Sequence, residues 1–172
     1  ANAEFSTIAE RTKHVRKLPV FLFASLVGFV EQGNATLWDR GGGLIYDDVL
    51  DVTWLQDANH AKTSGYDDDG KMTWAEATAW ADQLVYAGYD DWRLPRTGPV
   101  DGVAFNYSGP DYDGSRDAGY NVSAPGSAYP GSLGSEMAYL YYNTLGNLAF
   151  KAVNGTFPQP GHGLVNTVST AV

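Results

Sequence analysis

The chain has 172 residues, 44% hydrophobic and 13% aromatic, with 20 acids against 11 Lys and Arg and a formal net charge of −9. That length fits one domain with a packed core and argues against wholesale disorder. The charge argues against a nucleic-acid partner, which needs a Lys/Arg surface, and the lack of cysteine removes disulfides, thiolate nucleophiles, Cys-zinc sites and iron–sulfur clusters.

Residues 1–35 read as a targeting segment. His14, Arg16 and Lys17 precede a thirteen-residue apolar run, Leu18 to Val30, which ends in small residues near Gly33-Asn34-Ala35. The run is short of the ~20 residues that cross a bilayer and suits a secretory h-region; the competing reading is a buried core helix. On the secretory reading residues 1–14 lie upstream of a start at Val15, and a single domain over 36–172 follows. Removal of the segment takes away three acids and four bases and leaves a net charge of −10. An export signal without cysteine points to a bacterial secreted or cell-surface protein with no stable membrane span after processing.

In chain order, Leu44-Ile45-Tyr46 and Val52-Thr53-Trp54-Leu55 read as a hairpin turned at Asp47, Asp48 and Asp51. Gln56 to Lys62 reads as a short helix stopped by Ser64-Gly65. Thr73-Trp74-Ala75-Glu76 has the capping-box spacing, and Trp74, Ala77, Ala81, Leu84 and Val85 follow as one apolar face that Gly88 ends. Trp92-Arg93-Leu94-Pro95 reads as an extended stretch. Arg93 points away from Trp92 and Leu94, toward pairing with Glu76 or Glu136 and so fixing helix against sheet. Residues 97–135 hold eight glycines and four prolines and no apolar period, a long loop of the kind that is functional or held by an ion. Ser135 then caps a second helix that buries Leu140, Tyr141 and Leu145 and stops at Gly146.

Two acidic clusters carry the chemistry. In Tyr66-Asp67-Asp68-Asp69-Gly70, alignment to an EF-hand loop puts Asp67, Asp69 and Glu76 at positions 3, 5 and 12, with Gly65 at position 1 where an acid is expected. The pattern is that of a simpler calcium loop, in which a hard cation relieves the repulsion of adjacent carboxylates. The competing reading is a solvated acidic turn beside a helix N-terminus. In the second cluster, Asp111, Asp113 and Asp117 surround Gly114, again a calcium-like spacing or an ordinary Asx turn. Calcium is thus the expected cofactor. His60 and His162 stand outside any zinc spacing, and no Gly-x-Ser-x-Gly elbow occurs. A carboxylate-based glycosidase stays open, because acid separation in space is invisible in a sequence.

Four stretches occur together and in order. They are Gly43-Leu44-Ile45-Tyr46-Asp47 before Val52-Thr53-Trp54-Leu55-Gln56-Asp57-Ala58-Asn59; Met72-Thr73-Trp74 with Glu76-Ala77; Gly88-Tyr89-Asp90-Asp91-Trp92-Arg93-Leu94-Pro95; and Gly134-Ser135-Glu136-Met137 with Leu140 to Asn147. Over Leu37 to Asn166 the chain resembles the bacterial exported family named after the C-terminal domain of a collagen-like adhesin, the Lcl C-terminal family, in its PEP-CTERM-associated form. The resemblance implies an α+β, C-type-lectin-like fold related to formylglycine-generating-enzyme domains, with two helices, a small mainly antiparallel sheet and long Gly/Asp-rich loops. It also implies a non-enzymatic binding role toward a glycan or protein ligand at the cell surface. Members continue past Asn166 into further strands, so the expectation is a truncated sheet or one completed by a neighbouring chain in a homo-oligomer or filament. The sulfated polysaccharide bound by the adhesin is not carried over to a chain this acidic. An oxidase of the formylglycine-generating type lacks its copper-binding cysteines here. Within the resemblance Trp74, Trp92, Arg93 and Glu136 are structural.

Overall fold

A computed structural model describes residues 10–12 (backbone only), 35–109, 112–163 and 166. Strands β2 (Leu37–Asp39), β3 (Leu44–Asp47) and β4 (Val52–Leu55) form an antiparallel meander. β3 and β4 pair Leu44 with Leu55, Ile45 with Trp54, Tyr46 with Thr53 and Asp47 with Val52. Asp47 makes the turn by accepting the N–H groups of Val49 and Leu50 at 3.1 and 3.0 Å, the Asx geometry that this residue type favours. The sheet order is β2-β3-β4-β1-β5, where β1 is Glu10–Thr12 and β5 is Trp92–Arg93, and all its pairings are antiparallel. The fold is therefore α+β around a small antiparallel sheet.

Side chains alternate across the meander because strand periodicity is two, and both faces are covered. Leu44 and Leu55 pack with Ala61, Met72, Ala77, Trp80, Ala81 and Trp92 on one side. Ile45, Val52 and Trp54 pack with Leu37, Leu140 and Leu145 on the other. Helix α1 (His60–Thr63) and helix α2 (Trp74–Gln83) belong to the first face; α3 (Glu136–Tyr139) and the wider turn Leu140–Thr144 that continues it belong to the second. The wide turn shows in the Leu145 N–H bond to Leu140 O, five residues back, at 2.9 Å. Strands covered on both sides read as continuous apolar runs, as Val52–Leu55 does, with all four residues buried.

The capping box of α2 is complete: Thr73 Oγ1 accepts Glu76 N–H, and Glu76 Oε2 accepts Thr73 N–H at 2.7 Å. Two details depart from the expected helix. The buried stripe is Ala77, Trp80 and Ala81, joined by half-buried Leu84, whereas Trp74 and Val85 are 61% and 72% exposed. Trp74 stands in the capping turn ahead of the stripe, and Val85 follows the helix end. The helix also stops sooner than expected, because Leu84 turns extended at ψ 124°. Gly88, at φ +83°, serves instead in the tight Tyr86–Tyr89 turn, whose end residues exchange both backbone hydrogen bonds at 2.9 Å.

Glu10–Thr12 falls within the segment expected to be a leader and lies as a strand between β4 and β5, with Glu10 opposite both Trp54 and Arg93. The apolar run Leu18–Val30 lies outside the described residues. Among the described residues no helix is long and apolar enough to cross a membrane.

Candidate functional site

Among its described residues the 97–135 loop has no helix or strand, yet it is tied by its own polar groups. Asp117 accepts Val100 N–H at 2.7 Å and Asn106 N–H at 2.5 Å, and returns its own N–H to Asn106 O at 2.8 Å. Asp113 accepts the Ser115 hydroxyl at 2.6 Å and the Ser115 N–H at 3.0 Å, and these bonds hold its carboxyl below the ordinary range. Asn121, at φ +63°, donates to the carbonyls of Tyr112 and Lys151 at 2.6 and 2.9 Å. The loop is exposed over 101–109 and buried at Val100, Gly114 and 121–124; where it is buried its backbone must be satisfied, and short polar side chains contribute to that here. Asp111 lies outside the described residues.

The first acidic cluster is arranged in the same way. Asp67 Oδ1 accepts the N–H groups of Asp69 and Gly70 at 3.1 and 2.6 Å, and Asp69 Oδ1 accepts Lys71 N–H at 2.9 Å. The Gly70 N–H is the main cause that keeps the Asp67 carboxyl below its usual range. Gly70 is at φ +77°, and a Cβ there would collide with Asn59 Oδ1, so the turn is closed against the α1 cap. Glu76 belongs to the helix cap instead of this loop, and its Thr73 partners lower its pKa. Among the described residues no three Asp, Glu or His groups converge as a metal-ligand set.

Beside that loop lies a cleft of about 360 Å³ between the end of α1 and the end of α2, lined by Ser64, Gly65, Tyr66, Trp80, Gln83, Leu84 and Val85. Gly65, at φ +77°, turns the chain out of α1, and the N–H of Tyr66 then bonds Ala61 O at 3.0 Å. This puts the Tyr66 hydroxyl where it accepts Gln83 Nε2 at 2.9 Å. Tyr66 is half exposed and its ring lies 6.5 Å from that of Trp80, which is almost fully buried. His60, whose ring lies 6.4 Å from that of Trp80, meets Tyr86 edge-on at 4.7 Å, and Tyr86 meets Trp92 at 6.2 Å. The cleft thus has the buried Trp80 ring in its wall, one exposed ring, an amide and a hydroxyl, and its volume falls within the ~300–1,000 Å³ typical of small-molecule sites.

Of the residues named for structure, Trp92 is buried in the α2 face, and Arg93 grips Glu136 by both terminal nitrogens at 2.9 Å. Glu136 also accepts Arg96 N–H at 2.5 Å and sends its own N–H to Arg96 O at 3.1 Å. Burial pulls the Arg93 pKa down and Glu136 opposes it, so the guanidinium stays a cation. Between the two acids expected for Arg93, the structure uses Glu136, because Glu76 is held by its cap. Asp47 is fully buried; burial raises its pKa against the Leu50 and Val49 N–H bonds, and Thr144 Oγ1 lies at 3.2 Å. Sequence reasoning passed over Tyr66, Trp80 and Gln83 as a group. The available signal was helical spacing: Gln83 lies three residues after Trp80, on one side of α2.

No protein-family model, curated protein or solved structure matches this chain.

Proposed function

We propose that this chain is a non-enzymatic, exported bacterial recognition module of C-type-lectin-like fold, binding a glycan or protein ligand at the cell surface or in matrix through the Tyr66–Gln83 cleft. The observation that carries the reading is the cleft: an exposed Tyr66 ring backed by Trp80, with the Gln83 amide alongside. A ring face receives the apolar side of a sugar or side chain, while the amide and hydroxyl set its orientation. A carboxylate-based glycosidase has less support. Among the described residues the buried carboxyl with a raised pKa, Asp47, is engaged with Val49, Leu50 and Thr144 on the second core face, and it does not line this cleft.

Calcium belongs to the proposal as a stiffener of the two acidic loops. In its support, the internal bonds of Asp67, Asp69 and Asp113 run through Oδ1 of each, and each group of acids runs directly into a positive-φ glycine, Gly70 or Gly114. Thermal melts with millimolar calcium and with chelator test it: a higher midpoint with calcium is expected, and identical melts overturn the role. For the ligand, a glycan array followed by titration calorimetry is the test. Binding that Tyr66→Ala and Gln83→Ala each weaken at unchanged melting temperature is expected. Binding indifferent to both variants overturns the cleft.

A further inference from the structure

Asn154-Gly155 is the one Asn-Gly pair in the sequence, and the structure sets it at the tip of a tight turn. Ala152 N–H donates to Thr156 O at 2.9 Å, and Gly155 N–H donates to Ala152 O at 2.8 Å. Gly155 sits at φ +84°, and Asn154 is exposed. Asn154 Oδ1 accepts Thr156 N–H at 3.0 Å, the side-chain turn that asparagine favours. That bond folds the Asn154 carboxamide back along the Gly155 peptide. It also puts a donor on the oxygen that turns negative when the amide carbon is attacked. Other asparagines are tied differently. Asn106, Asn121, Asn143, Asn147 and Asn166 each give their amide nitrogen to a backbone carbonyl at 2.6 to 3.2 Å. Each also precedes a residue with a Cβ, which crowds the approach of that residue's nitrogen. Among the described residues the exposed Asn154 makes no such bond, so the group that would leave already stands in water.

We propose that Asn154 is a site of spontaneous modification, where the folded chain loses ammonia through a succinimide and acquires an aspartyl or isoaspartyl linkage. The Gly155 nitrogen gives its proton to hydroxide and bonds to Asn154 Cγ. The Cγ–NH₂ bond then breaks, and the amide nitrogen leaves as ammonia with a proton from water, which restores the hydroxide. Water adds to one of the two imide carbonyls and opens the ring. Cleavage at Cγ gives aspartate; cleavage at the backbone carbonyl gives isoaspartate. The sum is amide plus water to carboxylic acid plus ammonia, with no change of oxidation state. Because Gly155 N–H bonds Ala152 O, attack follows local opening of this exposed turn. Either product adds one negative charge to a chain of net −9. Isoaspartate also puts an extra carbon into the backbone of the turn that sets Phe157 against Phe150, ring centroids 6.1 Å apart, and 5.2 Å from Lys151 Nζ. Those contacts then lose their spacing.

The test incubates the full chain in mildly alkaline buffer, native and in urea, beside Asn154→Gln and Gly155→Ala. Anion exchange, released ammonia and tryptic peptide mapping by mass spectrometry follow the reaction. In the native parent a more acidic form is expected to accumulate, with aspartate and isoaspartate at position 154 ahead of every other asparagine and ammonia released in step. Asn154→Gln, which must close a larger ring, is expected to lose this acidic form. Gly155→Ala, whose Cβ meets nothing within 4 Å, is expected to form it more slowly. Left-handed alanine strains the turn, so a melting curve accompanies that variant, and Asn154→Gln remains the control that keeps the glycine. A native chain that keeps Asn154 intact, whether or not the urea-unfolded chain loses it, overturns the proposal. Earlier loss at another asparagine, or a Gly155→Ala chain that reacts as fast as the parent, overturns it too.

Discussion

Glu136→Gln isolates the contact that fixes the second helix to the sheet. Glu136 accepts three hydrogen bonds, two from the Arg93 fork and one from Arg96 N–H. The variant keeps the shape but removes the charge opposite a guanidinium and turns an NH₂ toward a donor. Breaking a fully buried pair from one side costs ~3–5 kcal/mol. Arg93 and Glu136 keep 21% and 12% side-chain exposure, so water solvates part of the stranded cation, and the expected loss is ~2–3 kcal/mol. Urea titration reads this as a lower midpoint at unchanged slope, and at this chain length the thermal midpoint falls ~2–4 °C per kcal/mol. Pairing it with Arg93→Met closes a double-mutant cycle, in which the double variant costs clearly less than the two singles added. Arg93→Lys retains charge without the planar fork and restores only part of the stability. A Glu136→Gln chain within ~0.5 kcal/mol of the parent, or a strictly additive cycle, refutes the clamp.

Gly114→Ala places a Cβ against the backbone carbonyl of Asn121 at φ +75°, while Gly126→Ala, at φ +79°, meets open space. Left-handed strain of ~1–2 kcal/mol is common to both, so urea midpoints that fall equally refute the close approach at Gly114. For Asp47→Asn the difference should depend on pH. The buried carboxyl has a raised pKa, so the folded chain binds more protons just above the ordinary carboxylate range and loses stability as pH rises through the folded value. Asparagine is exempt, so its advantage over the parent grows from about pH 4 upward; a difference constant between pH 4 and 7 counts against the raised pKa. A chain beginning at Thr36 vacates the place of Glu10–Thr12 between β4 and β5. Loss of several ladder bonds, at ~0.5–1.5 kcal/mol each, and concentration-dependent association through the opened edges are expected in melting and light scattering. A monodisperse truncation that melts like the parent counts against the strand's contribution.

Much of the local structure is legible in the chain alone. The Thr73–Glu76 cap, the Ser135 cap, the Asp47 turn and the alternation of Trp92 with Arg93 each depend on residues within three or four positions of one another. Backbone donors at helix ends and turns must be satisfied nearby, so residue type and spacing suffice for them. The candidate site was only half visible: Tyr66 stands in the acidic run, but its partner Gln83 is 17 residues away. Long range also decided Arg93's choice of Glu136, 43 residues on, over Glu76. It decided the exposure of Trp74 as well, and the ordering of the glycine-rich loop by Asp117 and Asn106. Burial and pairing across the sheet depend on which surfaces the assembled elements bring together, and that competition is settled only when both core faces close.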